Sequence, residues 1–201
     1  MRALAVIPVI IAGLAVGVLS ALWAAGLVDF GARGATFSDV DVDGWATDRA
    51  IGSASANPYT RARVARHGLL ALAKEEAIYF TRRVDADGAP FREACAYEIS
   101  GAPIDAAWWS VTLYDAESRL PMNDDGALSI DATGLGNDGA WRAVIAAKEP
   151  AEGAWLSSRN AGAFDLTLRL YRASRAILED PQTTLTPPRI TRLSCSDEGQ
   201  S

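Results

Sequence analysis

A chain of 201 residues with 22% charged and 49% apolar side chains is long enough for one ordinary domain plus an appendage, and too evenly mixed for extended disorder. Its net charge is −6; Arg2, Asp29 and Arg33 are the only charged side chains before position 36 and sum to +1, so the remainder carries −7. That charge repels phosphate backbones, and the arginines are scattered among carboxylates rather than gathered in a basic stripe, so no nucleic-acid partner is expected.

The first element is apolar. Ala3 to Val28 contains no charged residue, and a helix of that span is about 39 Å long, enough to cross a bilayer core of about 30 Å. Cleavable signal sequences have shorter apolar regions, so residues 1–28 are expected to form an uncleaved transmembrane anchor, with residues 3–28 in the lipid bilayer. Ala24-Ala25-Gly26 is a passable cleavage site, and removal stays open. Arg2 precedes the segment while Asp29, Asp39, Asp41 and Asp43 follow it. The positive-inside rule then predicts a single-pass inner-membrane protein, N-terminus cytoplasmic, with its domain in the periplasm or outside.

Residues 29–43 have no sustained period and are expected to be a linker leading into a domain over 44–195, with a disordered tail at 196–201. Asp39, Asp41, Asp43 and Gly44 match the first half of a calcium loop, but its twelfth position is Ala50, where a bidentate glutamate is required. An acidic linker is the expectation, with no metal. Asn57-Pro58 starts a helix predicted to run to about Glu76. On its wheel Ala62, Ala65, Leu69, Leu72, Ala73 and Glu76 share one side, which makes Glu76 a carboxylate on an apolar face.

The period then changes to two. Strands are predicted at 77–84, 91–100, 107–115, 127–133, 140–147, 164–171 and 189–194, the first two joined as a hairpin by Asp85-Ala86-Asp87-Gly88. Seven short strands without βαβ alternation predict a mainly β sandwich or barrel. Cys95 and Cys195 are the only cysteines. Either they close a loop of about a hundred residues, worth about 4 kcal/mol in the chain-entropy model, or they are two small buried side chains.

In order along the chain stand Asn57-Pro58-Tyr59-Thr60-Arg61-Ala62, Glu76-Ala77-Ile78-Tyr79-Phe80, Trp108-Trp109-Ser110-Val111-Thr112-Leu113-Tyr114-Asp115, Ala154-Trp155-Leu156, the run from Phe164 to Tyr171, and Pro187-Pro188-Arg189-Ile190. Over residues 44–193 this resembles the domain of unknown function 1214 family. The resemblance implies a jelly-roll-like β-sandwich in a bacterial envelope protein, of the kind that usually follows a domain of unknown function 1254. It implies no defined activity. The chain departs from the longer members at Pro121-Met122-Asn123, Ala127 to Ile130 and Ala154 to Ser157, where those carry an Asn-Pro, an Arg-Tyr-Ser and an Asn-Trp-Leu-Pro segment.

Chemistry-bearing residues are few. His67 is the only histidine, so neither a multi-imidazole metal site nor a serine triad is expected, and no cofactor motif is present. Glu76 and Asp115 are the candidate acid and base of a metal-independent, carbohydrate-type hydrolase. Adjacent Trp108 and Trp109 must face opposite sides of their strand, so one is free to line a groove with Arg169, Tyr171 and Glu76. The leading expectation is a non-enzymatic envelope module binding a small ligand or protein partner, with the hydrolase and a structural accessory subunit as alternatives.

Overall fold

The structure is a computed structural model that describes residues 2–25, 38–54, 56–66 and 72–196. Arg2–Ala24 forms helix α1, long and apolar enough over Ile7–Ala24 to cross a membrane, with none of that stretch buried inside the protein.

Two short strands follow, β1 (Val40–Val42) and β2 (Trp45–Thr47). Asp43 and Gly44 join them with φ of 51° and 83°, the paired positive values of a type I′ turn, whose twist matches a two-residue hairpin. Val42 sits opposite Trp45, and Val40, Val42 and Trp45 are buried in the core. The half-match to a calcium loop is therefore hairpin chemistry, and residues 40–43, expected in a linker, belong to the folded domain. Asp41 accepts the Gly44 N–H at 2.9 Å, and Asp39 accepts that of Arg49 at 2.8 Å.

Helix α2 spans Pro58–Arg66. Asn57 caps it as expected, its side-chain oxygen accepting the Thr60 N–H at 2.9 Å. The expected apolar face is not inward: Ala62, Ala65, Leu72 and Ala73 are exposed, and Thr60 is the buried one. His67 and Leu69 lie outside the described residues. Residues 74–76 form a turn, not the end of a helix.

The remaining elements are β3 (Ala77–Arg82), β4 (Phe91–Arg92), β5 (Cys95–Gly101), β6 (Ala106–Asp115), β7 (Ser129–Asp131), α3 (Ala132–Leu135), β8 (Trp141–Ala146), β9 (Ala154–Ser157), β10 (Ala163–Ala173), α4 (Arg175–Glu179), α5 (Pro181–Thr184) and β11 (Arg189–Cys195). The larger sheet runs β1-β2-β3-β10-β6-β7, with β4 continuing β3's place against β10, and the smaller one runs β11-β5-β8-β9. All pairs are antiparallel except β8 with β9. The expected hairpin between 77–84 and 91–100 forms only at its turn. Val84 bridges Pro90, then the chain breaks at Glu93-Ala94 and β5 joins the other sheet between β11 and β8.

The mainly β architecture expected from the strand pattern is what the chain forms, and of the sandwich and the barrel it takes two facing sheets. One core lies between the sheets. Trp109 of β6 stacks on Trp141 of β8, centroids 4.4 Å apart, and Tyr97 of β5 meets Phe164 of β10 edge-on. Phe164, Leu166, Leu168 and Leu170 all point into it, as the alternation of β10 requires. Cys95 and Cys195 face each other across β5 and β11 and are joined by a disulfide.

Candidate functional site

Trp108, Arg169 and Tyr171 come together on the outer face of the larger sheet. Tyr171 stands opposite Trp108, and Arg169 opposite Ser110 on one side and Tyr79 on the other. The Trp108 and Tyr171 rings lie 5.2 Å apart. Trp109, alternating, is fully buried. Arg169 and Trp108 on this face are already engaged: Arg169 donates to Thr112 Oγ1 at 2.8 Å and to the Tyr114 hydroxyl, and Trp108 Nε1–H to Thr133 Oγ1 at 2.9 Å. Burial raises the Tyr79 hydroxyl above its ordinary pKa, against the lowering effect of a backbone hydrogen bond at Leu72. Such a network, with its donors spent inside the protein, holds the sheet together and offers little to a ligand.

Glu76 is not with them. It is exposed on the turn before β3, and its carboxylate pairs with Arg172 at 3.7 Å. Asp115 is the last residue of β6, level with Phe164, and its carboxylate accepts the N–H groups of Glu117 and Arg119 in the turn that follows. Ala77 is level with Trp108 through Tyr171, seven strand residues from Asp115, and Glu76 is one residue further, so Glu76 and Asp115 are about 25 Å apart by strand rise. Paired glycosidase carboxylates stand about 5 to 9.5 Å apart. The strand register thus removes the proposed acid and base pair.

An open cleft of about 760 Å³ lies elsewhere, at the end of the smaller sheet where β5 finishes and β8 and β11 begin. None of the expected site residues lines it. Its wall carries a cross-strand row, Arg189 opposite Ser100 and Ser100 opposite Arg142. Glu98 also lines it, one row along the same face. Pro187 and Pro188 form a second wall, fixed by Trp45, whose Nε1–H donates to the Pro188 carbonyl at 2.8 Å. Arg82 and Asp43 complete it, locked together by an Arg82 Nη1–H bond to the Asp43 carbonyl at 2.8 Å. Burial lowers the Arg82 pKa, opposed by Asp41, Asp43 and Asp85.

Trp141 also borders this cleft. It is 5% exposed, yet its Nε1–H has no acceptor among the described residues. Its stacking partner Trp109 has one, Asn137 Oδ1 at 3.1 Å. A buried indole N–H without an acceptor costs about 1–3 kcal/mol. Gly101 makes room for the ring: a Cβ there would stand 2.5 Å from Cζ2 and 3.0 Å from Nε1.

Two carboxylates outside the cleft are perturbed. Burial would raise Asp85, but hydrogen bonds from Arg192 and from the Ala89 and Asp87 amides outweigh it and hold the carboxyl below its ordinary range. This pins β11 to the turn after β3. Asp165, beneath Arg83 at 3.8 Å, is pushed up to about 6, mainly by burial; Arg83 opposes the rise and Asp115 adds to it. Sequence reasoning missed the arginine row because Arg142 and Arg189 lie 47 residues apart in the chain and meet only through the pairing of β5 with both β8 and β11. The Pro187-Pro188-Arg189-Ile190 motif was the visible signal.

A family model described as "Protein of unknown function (DUF1214)" matches residues 76–175. No curated protein matches. Among solved structures, a protein from Vibrio parahaemolyticus aligns with a TM-score of 0.54 at 20% identity over 70% of this chain and 36% of its own. An uncharacterized protein from Burkholderia cenocepacia aligns with a TM-score of 0.41 at 16% identity, over 58% of this chain and 29% of its own. The chain thus spans about a third of the length of the Vibrio protein, and the likeness is one of fold.

Proposed function

We propose that this chain, which belongs to the DUF1214 family of proteins of unknown function through residues 76–175, is a membrane-tethered binding module. Its β-sandwich takes a small ligand in the cleft at the end of the smaller sheet. The reading is carried by a cleft of about 760 Å³ whose wall holds the cross-strand row Arg189, Ser100 and Arg142, within the usual range of small-molecule sites, about 300–1,000 Å³. Helix α1, uncleaved and with Arg2 on the cytoplasmic side, tethers the domain to the outer face of the inner membrane in this reading.

The test is the mass spectrum of small molecules released from the detergent-extracted full-length protein. Ser100→Trp places a large ring in the cleft on a strand face that has room for it. A compound bound to the wild type and missing from this variant, with both equally folded by circular dichroism, supports the reading. Identical ligand content in the two proteins, or none in either, overturns it.

A further inference from the structure

The arginines, scattered elsewhere among carboxylates, are gathered once. Helix α2 holds Arg61, Arg63 and Arg66 within nine residues and contains no acid. Residues 48–76 as a whole set Arg49, Lys74 and these three against Asp48, Glu75 and Glu76, so this stretch is +2 where the rest of the chain is −8. A molecule so divided turns its basic part toward an anionic surface and its acidic bulk away from it.

The same stretch leaves its apolar side chains in solvent. Thr60 takes the buried side of α2, while Tyr59 and Leu72 are 46% and 45% exposed and Ala62, Ala65 and Ala73 are exposed as well. A tyrosine ring and an aliphatic side chain set among basic residues suit the headgroup layer of a bilayer, where amphipathic rings settle and positive charge meets phosphate.

Position supplies a third argument. β2 runs antiparallel to β3 with Ala46 opposite Thr81, so residues 48–52 continue toward the Ala77 end of β3. There Gly52 packs so closely that a Cβ on it would stand 2.4 Å from the Leu72 carbonyl oxygen. Arg61 ties α2 to this stretch by donating to the Ala54 and Ala56 carbonyls. The chain enters the domain at the same end, since Val40 lies opposite Thr47 and Asp39 accepts the Arg49 N–H. Residues 26–37 separate the end of α1 from that entry point, and twelve residues reach at most about 43 Å. With α1 in the bilayer, this end of the domain is held near the lipid surface, at an effective concentration for which a weak affinity suffices.

We infer that α2 and residues 72–74 form a face that docks on the anionic phospholipid surface of the membrane that α1 spans, with α2 supplying the positive charge and Tyr59 and Leu72 entering the headgroup layer. The inference rests on the tethering of the domain by α1 and is independent of the cleft.

The experiment is hydrogen exchange of the full-length protein inserted into lipid nanodiscs, of phosphatidylcholine alone or of phosphatidylcholine and phosphatidylglycerol in equal parts. Peptides covering α2 and residues 72–76 are expected to exchange about fivefold more slowly in the anionic discs, and to return to the zwitterionic rate in about 1 M salt, where the screening length is about 3 Å. Exchange in β10 should be the same in both lipids. Arg63→Gln combined with Arg66→Gln, and separately Tyr59→Ser, should each roughly halve the protection, with β10 reporting that the variants are folded. Equal exchange of α2 in the two lipids, in wild-type protein that stays with the discs at high salt, overturns the docking and leaves the tether standing. Protein that leaves the discs at high salt overturns both. Protection that is present in zwitterionic discs and rises with the number of copies per disc assigns the face to a second copy of the chain and overturns the inference.

Discussion

At the scale of single residues, the most consequential buried charge is Asp165. Its strand partner Tyr114 and its ion-pair partner Arg83 do not compensate the loss of water around it, so its pKa rises from 3.8 to about 6. The folded protein therefore binds a proton more tightly than the unfolded chain does. Stability from this group is complete below about pH 4 and is lost as pH rises through about 6, a cost of about 3 kcal/mol once the carboxylate is fully ionised. Asp165→Asn, which mimics the protonated form, is expected to raise stability by up to about 3 kcal/mol at pH 8 and by almost nothing at pH 4. Thermal melts of the detergent-solubilised protein at the two pH values check this; an equal gain at both would show that burial does not perturb the carboxyl. The sequence placed Asp165 on the outer face of β10 by alternation. It did not disclose that this face is largely covered, because the covering comes from neighbours remote in the chain. The same limit applies to the adjacent tryptophans: alternation forced one inward, and only strand register identified Trp109 as that one and supplied Trp108 with Tyr171 and Thr133.

At the scale of elements, β11 is the strand on which the cleft depends, since it opens with Arg189 and follows directly on Pro187 and Pro188. Two fastenings hold it beyond its ladder to β5. Arg192 is paired with the buried Asp85, and Cys195 is bonded to Cys95 across a separation of 100 residues. Closing so long a loop removes much of the freedom of the unfolded chain. Replacing both cysteines by alanine is expected to cost about 2–5 kcal/mol, read as a fall in the denaturation midpoint. Hydrogen exchange should become faster in β11 before it does in β10, which has neighbours on both edges. Uniform acceleration across both sheets would show that the bond acts on the whole fold instead of this strand. Most strands were legible because their alternation is local: 107–115 and 164–171 were found to within two residues at each end. The partners were not. Residues 91–100 read as one continuous strand, and the break at Glu93-Ala94 that sends its second half to the other sheet has no strong local signal. Helix α2 misled for a related reason. A helical wheel assumes that the apolar side faces the core, whereas here Thr60 does, and Glu76, placed on that wheel, stands on an exposed turn beyond the helix.

At the scale of the whole molecule, one architectural question governs where the cleft works: whether α1 stays attached. Its apolar stretch shows no burial against the domain, so it gains nothing from the fold that would keep it in water, and 18 unburied residues of this character are strongly driven into lipid. A signal sequence would have the same drive until cleaved, so the distinction rests on length and on the small residues near Ala24-Ala25-Gly26. With the helix retained, the protein is expected to remain in the membrane pellet after an alkaline carbonate wash, and the intact mass should include residues from the start of α1. An added protease should then reach the domain in spheroplasts, where the outer face of the inner membrane is open, and leave it intact in inside-out vesicles. Release into the soluble fraction with a mass beginning near Gly26 would instead describe a free envelope protein. The sandwich and its cleft would be unchanged by that outcome, but the ligand would then be met in free solution and not at a fixed height above the bilayer. For a site with two exposed arginines, the distinction bears on capture. An anionic membrane surface repels an anionic ligand within about 10 Å, the Debye length near 0.1 M salt. A tethered domain is therefore expected to lose apparent affinity for an anionic ligand when reconstituted into anionic vesicles at low salt, and to recover it as ionic strength rises.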